Sequence, residues 1–485
     1  LSVRRHTGYN LVGSIVPIVL AIATVPIYLR LVGPDRYGVL AIAWLLLGYF
    51  GLFDLGLGQA TAFRIAALRD ASAGARAGTF WAALAVNSAM GIVGAAILWM
   101  VGLWFFGHVF KAPEKLRPEI LRSVPLLAAS VPVATVTGVL TGALQGREKF
   151  LESNLISTIS TCLFQILPFA AAWRFGPDLT LLLGAALVAR LLAVFVLGIR
   201  CHAELGRGQR VRVDIQDVLP LLRYGGWVTV ASVFGPSLVI VDRFYIGAVL
   251  GSAAVAIYSV PYTMAARVAL APSSLTTALF PRMAAASSRE QTRMRDQATQ
   301  ALACLMGPPV VGAIFLIDLI LHLWVGNRIA AQAAPVGRIL LIGFWANGFA
   351  LIPYTGLQAS GRPDLVSKIL IAQIPPYFIL LYVSIMHFGL VGAAWALAAR
   401  FAIDYGLLTY AAGKNFRALP LLAVNFGLLL ASAYLASVWT VSSPYWWVSL
   451  FSLFSCMCII GWLNIPVDLR SKALEALRMR IVRQA

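Results

Sequence analysis

The chain has 485 residues, of which 60% are hydrophobic and only 12% charged, with a mean hydropathy of +0.84. Soluble domains keep roughly a quarter of their residues charged, so this balance excludes an ordinary soluble domain and defines a polytopic membrane protein. The formal net charge of +19 would suggest a nucleic-acid partner in a soluble chain; here it has to be judged by where the charges sit.

Apolar runs of about 20 residues, the length a hydrocarbon core demands, predict fourteen spans: about 9–32, 38–63, 79–106, 120–144, 153–173, 179–199, 219–247, 253–280, 298–324, 334–358, 366–386, 389–412, 419–440 and 446–465. Arg4 and Arg5 precede the first span without a cleavage-site pattern, which predicts an uncleaved first helix rather than a signal peptide. Connections are short, the longest being 108–119, 200–218 and 281–297. An even span count puts both termini on one side. That side collects 24 Lys and Arg residues, among them Arg64, Arg147, Lys149 and Arg289, against 7 on the other, among them Arg36 and Lys111. The bias predicts that both termini are cytoplasmic and accounts for much of the net charge without nucleic acid.

Three short matches recur at offsets near 213 to 218 residues. Leu31-Val32-Gly33 answers Val249-Leu250-Gly251; Thr61-Ala62 with Arg64 answers Thr277-Ala278 with Arg282; Leu144-Gln145 with Gly146-Arg147 answers Leu357-Gln358 with Gly361-Arg362. Six spans separate the copies, so the halves share one orientation, as in parallel-repeat transporters. The expected fold is all-α: an N-terminal six-helix half (1–212), a C-terminal six-helix half (213–413), and an appended helix pair with a basic tail (414–485).

The chemistry should lie in the charges inside the spans. Seven arginines (Arg122, Arg190, Arg223, Arg243, Arg267, Arg338, Arg400) face four acids (Asp54, Asp242, Asp318, Asp404). Ionisable groups at membrane depth are costly and turn toward a bundle interior or a wet cavity. Arg122, Arg223 and Arg338 lie near predicted span starts and can snorkel to headgroups. Arg400 and Asp404 stand at i and i+4, a helical ion pair that structure alone could require. Arg243 directly follows Asp242, so the two are expected to point apart. Arg190 and Arg267 have no local acid, and each needs a partner on another helix or an anion; the guanidinium fork suits a diphosphate. Asp54 sits among Gly51, Gly56, Gly58 and Ala60, either as a proton- or sodium-coupling carboxylate or as a brace for the helix end beside Arg64. Asp242 is a second candidate for coupling.

Other signals are weaker. The five histidines are scattered without metal-ligand spacing, and the five cysteines show no metal or disulfide pattern, so neither a metal nor a cofactor is expected. Tyr258, Tyr262 and Trp395 could stack on sugars, although core packing explains them as well. Trp439, Tyr445, Trp446 and Trp447 read as an interfacial belt.

The stretches LVGPDRYG, GYFGLFDLGLGQA, VDRFYIGAVLGSAAVAIYSVPY and LQASGRPD resemble bacterial polysaccharide exporters of the Wzx type. These exporters share a superfamily with lipid II flippases and with multidrug and toxin extrusion transporters. The resemblance implies a substrate of undecaprenyl-diphosphate-linked oligosaccharide, for surface polysaccharides such as O-antigen, moved from the cytoplasmic to the periplasmic leaflet of the bacterial inner membrane by alternating access. It also implies membrane lipids, a coupling proton or sodium ion, and glycan polymerase machinery as partners. In the flippase relatives, arginines of the first, second and eighth helices line the cavity; Arg64 and Arg267 are the matching types here, while the first span has only Arg30, near its outer end. The expected substrate-binding set is Arg267, Arg64, Arg190 and Arg243, with Asp54 and Asp242 for ion coupling. An antiporter for amphipathic cations would want unpaired acids where this chain has excess arginine. A membrane-embedded glycan polymerase or ligase would want a large periplasmic loop, and the longest outward segment, Gly107 to Glu119, is about a dozen residues.

Overall fold

The computed structural model describes residues 2–48, 57–68, 71–206, 238, 240–413 and 416–465. These are almost entirely helical, and among the described residues no strand occurs. In chain order the helices are α1 (Ser2–Gly48), α2 (Leu57–Ala67), α3 (Ala73–Trp104), α4 (Arg117–Gly146), α5 (Phe150–Phe175), α6 (Leu179–Cys201) and α7 (240–249). They continue with α8 (Ser252–Ala265), α9 (Leu270–Ala285), α10 (Ser288–Val325), α11 (Asn327–Ala359), α12 (Pro363–Ala411), α13 (Leu419–Val438) and α14 (Pro444–Asn464). Among the described residues, ten helical runs are long and apolar enough to cross a membrane. Two helices are broken by a glycine that a side chain could not easily replace. In α1 the break is Gly33 (φ 78°), followed by Pro34, which has no N–H to continue the ladder; in α12 it is Gly389 (φ 58°).

Helix starts follow local chemistry. Ser72 accepts from Ala75 N at 3.2 Å and Asp178 from Leu181 N at 3.0 Å. Ser287 and Glu290 form a reciprocal box, whose hydrogen bonds hold the Glu290 carboxyl below its ordinary pKa. The expected connection at 281–297 is itself largely helical: α9 runs to Ala285 and α10 begins at Ser288, with Gln291 Nε2 donating to Met283 O at 2.8 Å across the break. Hydropathy marks where the membrane ends, but Ala, Arg, Glu and Gln carry a helix well past that point.

The chain divides into two compact units, Leu1–Ala256 and Ile257–Ala485. In the first, α4 packs on α2, α3 and α6, and α5 packs on α1 and α6. Tyr28 of α1 donates to Gln165 O of α5 at 2.9 Å. One end of this unit is stitched by polar contacts. Arg36, in the turn after Gly33, makes a two-pronged contact with Glu119 at 3.0 and 2.9 Å, which raises the arginine pKa, and Glu119 also accepts from Leu179 N. The same end explains why the unit extends to Ala256. Lys111 N donates to Gly247 O and Ser252 N to Lys111 O, both at 3.0 Å, and Ser252 Oγ donates to Asp35 at 2.6 Å.

In the second unit α11 is the central helix, against α9, α10, α12 and α13, while α14 packs on α10. A membrane provides little hydrophobic drive between helices, so close fit carries the association. Gly337 and Gly348 of α11 supply it: a Cβ on either would lie 3.0 Å from Pro261 Cβ or 2.7 Å from Pro272 Cγ. The expected aromatic belt is only partly exposed. Tyr445 and Trp447 are exposed, but Trp446 is buried against Phe315, with ring centroids 5.4 Å apart.

Candidate functional site

The structure sorts the intramembrane arginines by what answers their charge. Arg267 lies in a single 3-10 turn, Ala266–Ala269, that joins α8 to α9, where the sequence predicts one continuous span. Pro261 and Pro272 stand on either side of that turn, each pressed on a glycine of α11. Arg267 is half-buried, and its Nε has no hydrogen-bond partner. No local acid answers it, in agreement with the expectation from sequence.

Arg64, near the end of α2, is likewise half-buried with an Nε that lacks a partner. Arg190 of α6 is different. Its guanidinium sits 4.7 Å from the ring centroid of buried Phe164 on α5, so an aromatic face supplies the partner that no acid does.

Asp242 and Arg243 correct the expectation that they point apart. Arg243 Nη1 lies 2.7 Å from Asp242 Oδ1 and 2.9 Å from Oδ2, and Arg243 N donates to the same carboxylate at 2.8 Å. Side-chain exposure is 1% and 0%. The Cβ directions do diverge, but a long arginine can fold back onto its neighbour, and burial makes an unpaired charge far costlier than the bend. Asp54 lies outside the described residues.

Two arginines carry surprises. Arg338 was expected to snorkel from a span start at 334. Helix α11 begins at Asn327 instead, directly after Gly326, so Arg338 lies more than two turns inside; it is 8% exposed and its Nε has no partner. The signal available in the sequence was Gly326, a natural stop for α10 and start for α11. Arg400 and Asp404 are both buried; Arg400 lies 5.3 Å from the Tyr377 ring and 5.5 Å from that of Phe401, while Gln373 Nε2 donates to Asp404 at 2.9 Å. Arg122 is exposed, as a boundary anchor should be.

Tyr258 is fully buried and Tyr262 packs edge-on against Phe344, so both serve the core. Helices α11, α12 and α13 enclose a groove of about 360 Å³ lined by Trp345, Phe349, Trp395, Tyr405 and Phe426 among others; its chemistry suits a hydrocarbon chain. Among the described residues no cluster of His, Cys, Asp and Glu could hold a metal ion.

The family model described as polysaccharide biosynthesis protein matches residues 3–287, more than half of the chain. The chain belongs to that family. This polysaccharide biosynthesis family member is also 26% identical over 411 residues to a Shigella flexneri protein described as "Putative O-antigen transporter", covering 84% of this chain and 97% of that one. Its fold is shared with the lipid II flippase MurJ in an inward closed conformation (TM-score 0.74, 12% identity, 96% of this chain and 99% of that one). An inward-facing multidrug resistance transporter of the MATE family also shares it (TM-score 0.68, 14% identity, 87% and 99%). The resemblance to bacterial polysaccharide exporters is borne out by the family match and by the likeness to the O-antigen transporter, and the fold is the one seen in the lipid II flippase and the multidrug transporter. The chain is a multi-pass membrane protein by its helical runs, and the relatives that it matches are described as transporters rather than enzymes.

Proposed function

We propose that this protein flips undecaprenyl-diphosphate-linked oligosaccharide from the cytoplasmic to the periplasmic leaflet of the inner membrane by alternating access, for surface polysaccharide synthesis. The observation that carries the reading is Arg267, a cation on a helix break inside an expected span, whose Nε has no hydrogen-bond partner and which pairs with no acid among the described residues. A lipid-linked diphosphate supplies that charge at membrane depth, whereas an amphipathic cation would be repelled. The proposed architecture is fourteen crossings in two parallel six-helix repeats plus an appended pair, with the breaks at Gly33 and Gly389 each dividing two crossings. In favour of the repeat, Gly33 and Gly251 both take positive φ, 78° and 96°. The direct experiment reconstitutes the protein in liposomes with a fluorescent lipid-linked oligosaccharide. Protein-dependent transfer to the other leaflet is expected; no transfer, together with uptake of a cationic dye, would favour the antiporter reading.

Two further results are expected. Cysteines substituted at Lys111 and at Arg289 should react with an impermeant thiol reagent from the outside and the inside respectively, as the 24 to 7 charge bias requires; the opposite labelling reverses the topology. Asp54→Asn should abolish uphill transport while leaving insertion and substrate binding intact. Normal transport by that variant across a range of pH and sodium would remove Asp54 from ion coupling and leave it a bracing role.

A further inference from the structure

The two legs of α12 run back along each other from the break at Gly389, and their contacts keep one register. A Cβ on Gly392 would run into the Ser384 carbonyl, the Arg400 guanidinium lies 5.3 Å from the Tyr377 ring centroid, and Gln373 Nε2 donates to Asp404 Oδ1 at 2.9 Å. At the register positions on either side stand Leu381 with Leu397 and Leu370 with Leu408, all buried. An apolar seam therefore encloses two polar steps. The step at Gln373 and Asp404 is incomplete.

Gln373 is 4% exposed and Asp404 8%, and Gln373 Oε1 is out of contact with solvent and has no hydrogen-bond partner. Among the described residues Asp404 makes no ion pair, although Arg400 stands one turn away on its own leg; Arg400 lies against the rings of Tyr377 and Phe401. Tyr354 faces Asp404 from α11, the helix packed on α12, and its hydroxyl accepts from Gln358 Nε2 at 3.0 Å. An ionised carboxylate offers acceptors only, so it cannot answer the buried Oε1 beside it. A protonated carboxyl can. Next to a primary amide it closes a ring of two hydrogen bonds, amide N–H to one carboxyl oxygen and carboxyl O–H back to the amide oxygen. The first of these bonds is present, and Gln373 Oε1 is the acceptor that the second requires.

We propose that Asp404 and Gln373 form a proton-binding site in the second unit, in which the Asp404 carboxyl donates its proton to Gln373 Oε1 and releases it to water when the legs of α12 part. On release the O–H bond breaks, the proton passes to water and its electron pair stays on the carboxylate. The bond that closed the ring is lost with it, so separation of the legs is linked to proton release. Arg400, one turn away, favours the ionised form, while burial and the orphan amide oxygen favour the protonated one, and this opposition makes the group exchangeable. A metal cation is a poor occupant so near a guanidinium. The site does not depend on which molecule is transported. It is distinct from Asp54 and Asp242, and Asp242 is held by Arg243 at 2.7 Å.

The test is infrared difference spectroscopy of the purified full-length protein in detergent, wild type minus Asp404→Asn, at neutral pH and through an alkaline titration. The wild type should show the carbonyl band of one protonated carboxyl that Asp404→Asn lacks. That band should shift to lower frequency in heavy water and vanish as the pH rises. Gln373→Leu should move it to higher frequency, because the carboxyl loses its hydrogen bonds. Asp404→Asn should keep the melting temperature of the wild type, since a pair of amides retains both bonds of the ring. Should Asp404→Asn fail to accumulate, the difference between wild type and Gln373→Leu decides, because the same band must then move. A lowered melting temperature in Asp404→Asn that Arg400→Gln restores would mean that Asp404 serves as the counter-charge of Arg400 and would overturn the site. So would absence of the band, a band that neither exchanges in heavy water nor titrates, or its loss when sodium is added at constant pH.

Discussion

Arg267→Ala is expected to lower glycan export about 10- to 100-fold at unchanged membrane abundance, because one charge-assisted contact is worth roughly 1.5 to 3 kcal/mol. The expectation rests on position. The 3-10 turn Ala266–Ala269 holds Arg267 between two proline–glycine contacts with α11, Pro261 on Gly337 and Pro272 on Gly348, so its backbone is fixed without help from the guanidinium. Removing the side chain should therefore cost function before it costs folding. Arg267→Lys keeps the charge but loses the fork and should be partly active; Arg267→Glu repels phosphate and should be the most severe. A purely structural arginine would behave differently, since neutralising its partner acid would then restore the alanine variant. In the second unit, Asp404 already accepts from Gln373 at 2.9 Å and Asp318 lies 3.4 Å from His322. Rescue of Arg267→Ala by Asp318→Asn or Asp404→Asn, measured as export and abundance together, would show that pairing and not substrate holds this residue. Normal export at normal abundance in Arg267→Ala would remove it from the site.

How far the sequence could be read depended on the kind of information each feature needs. The turn at Gly33-Pro34 and the helical character of the chain are local, written in one glycine, one proline and runs of apolar residues, and both hold. Helix ends were placed less well, because hydropathy reports depth in the membrane rather than backbone conformation. Helices α9 and α10 extend through 281–297 almost to meet, and α11 starts seven residues before the expected 334. That shift alone turns Arg338 from a boundary anchor into a buried residue.

Partners of charged groups were the least readable feature, since they depend on side-chain rotamers and on neighbours distant in sequence. No spacing rule reveals that Arg190 rests on Phe164, 26 positions away on α5, or that Gln373 serves Asp404 across the break at Gly389. Adjacent residues mislead in the opposite sense, because Asp242 and Arg243 pair despite diverging Cβ vectors. What the sequence could establish was which cations lack a local acid. For Arg267 that still holds among the described residues, where its Nε has no hydrogen-bond partner, whereas Arg190 has found an aromatic one.

Gly38→Val should reduce membrane abundance severalfold and export with it. The second leg of α1 passes so near the start of α8 that a Cβ on Gly38 would fall on the Ser252 carbonyl and lie 3.4 Å from Ala256 N. Gly38 is helical, so conformational freedom is not what it contributes; by helix propensity alone a larger residue would gain up to about 1 kcal/mol. Overpacking opposes that gain with a cost of about 1 to 3 kcal/mol or more, and here the obstacle is backbone, which cannot rotate away as a side chain can. The displaced segment also carries the Ser252–Asp35 bond at 2.6 Å and the Ser252–Lys111 bond at 3.0 Å, so the three elements would separate together. Gly312→Ala and Gly406→Ala provide the comparison, since a Cβ at either position meets nothing within 4 Å. Both should accumulate at or above the level of the unmodified protein. Equal abundance and export of Gly38→Val and these two variants would mean that the contact between α1 and α8 is not required for the folded state.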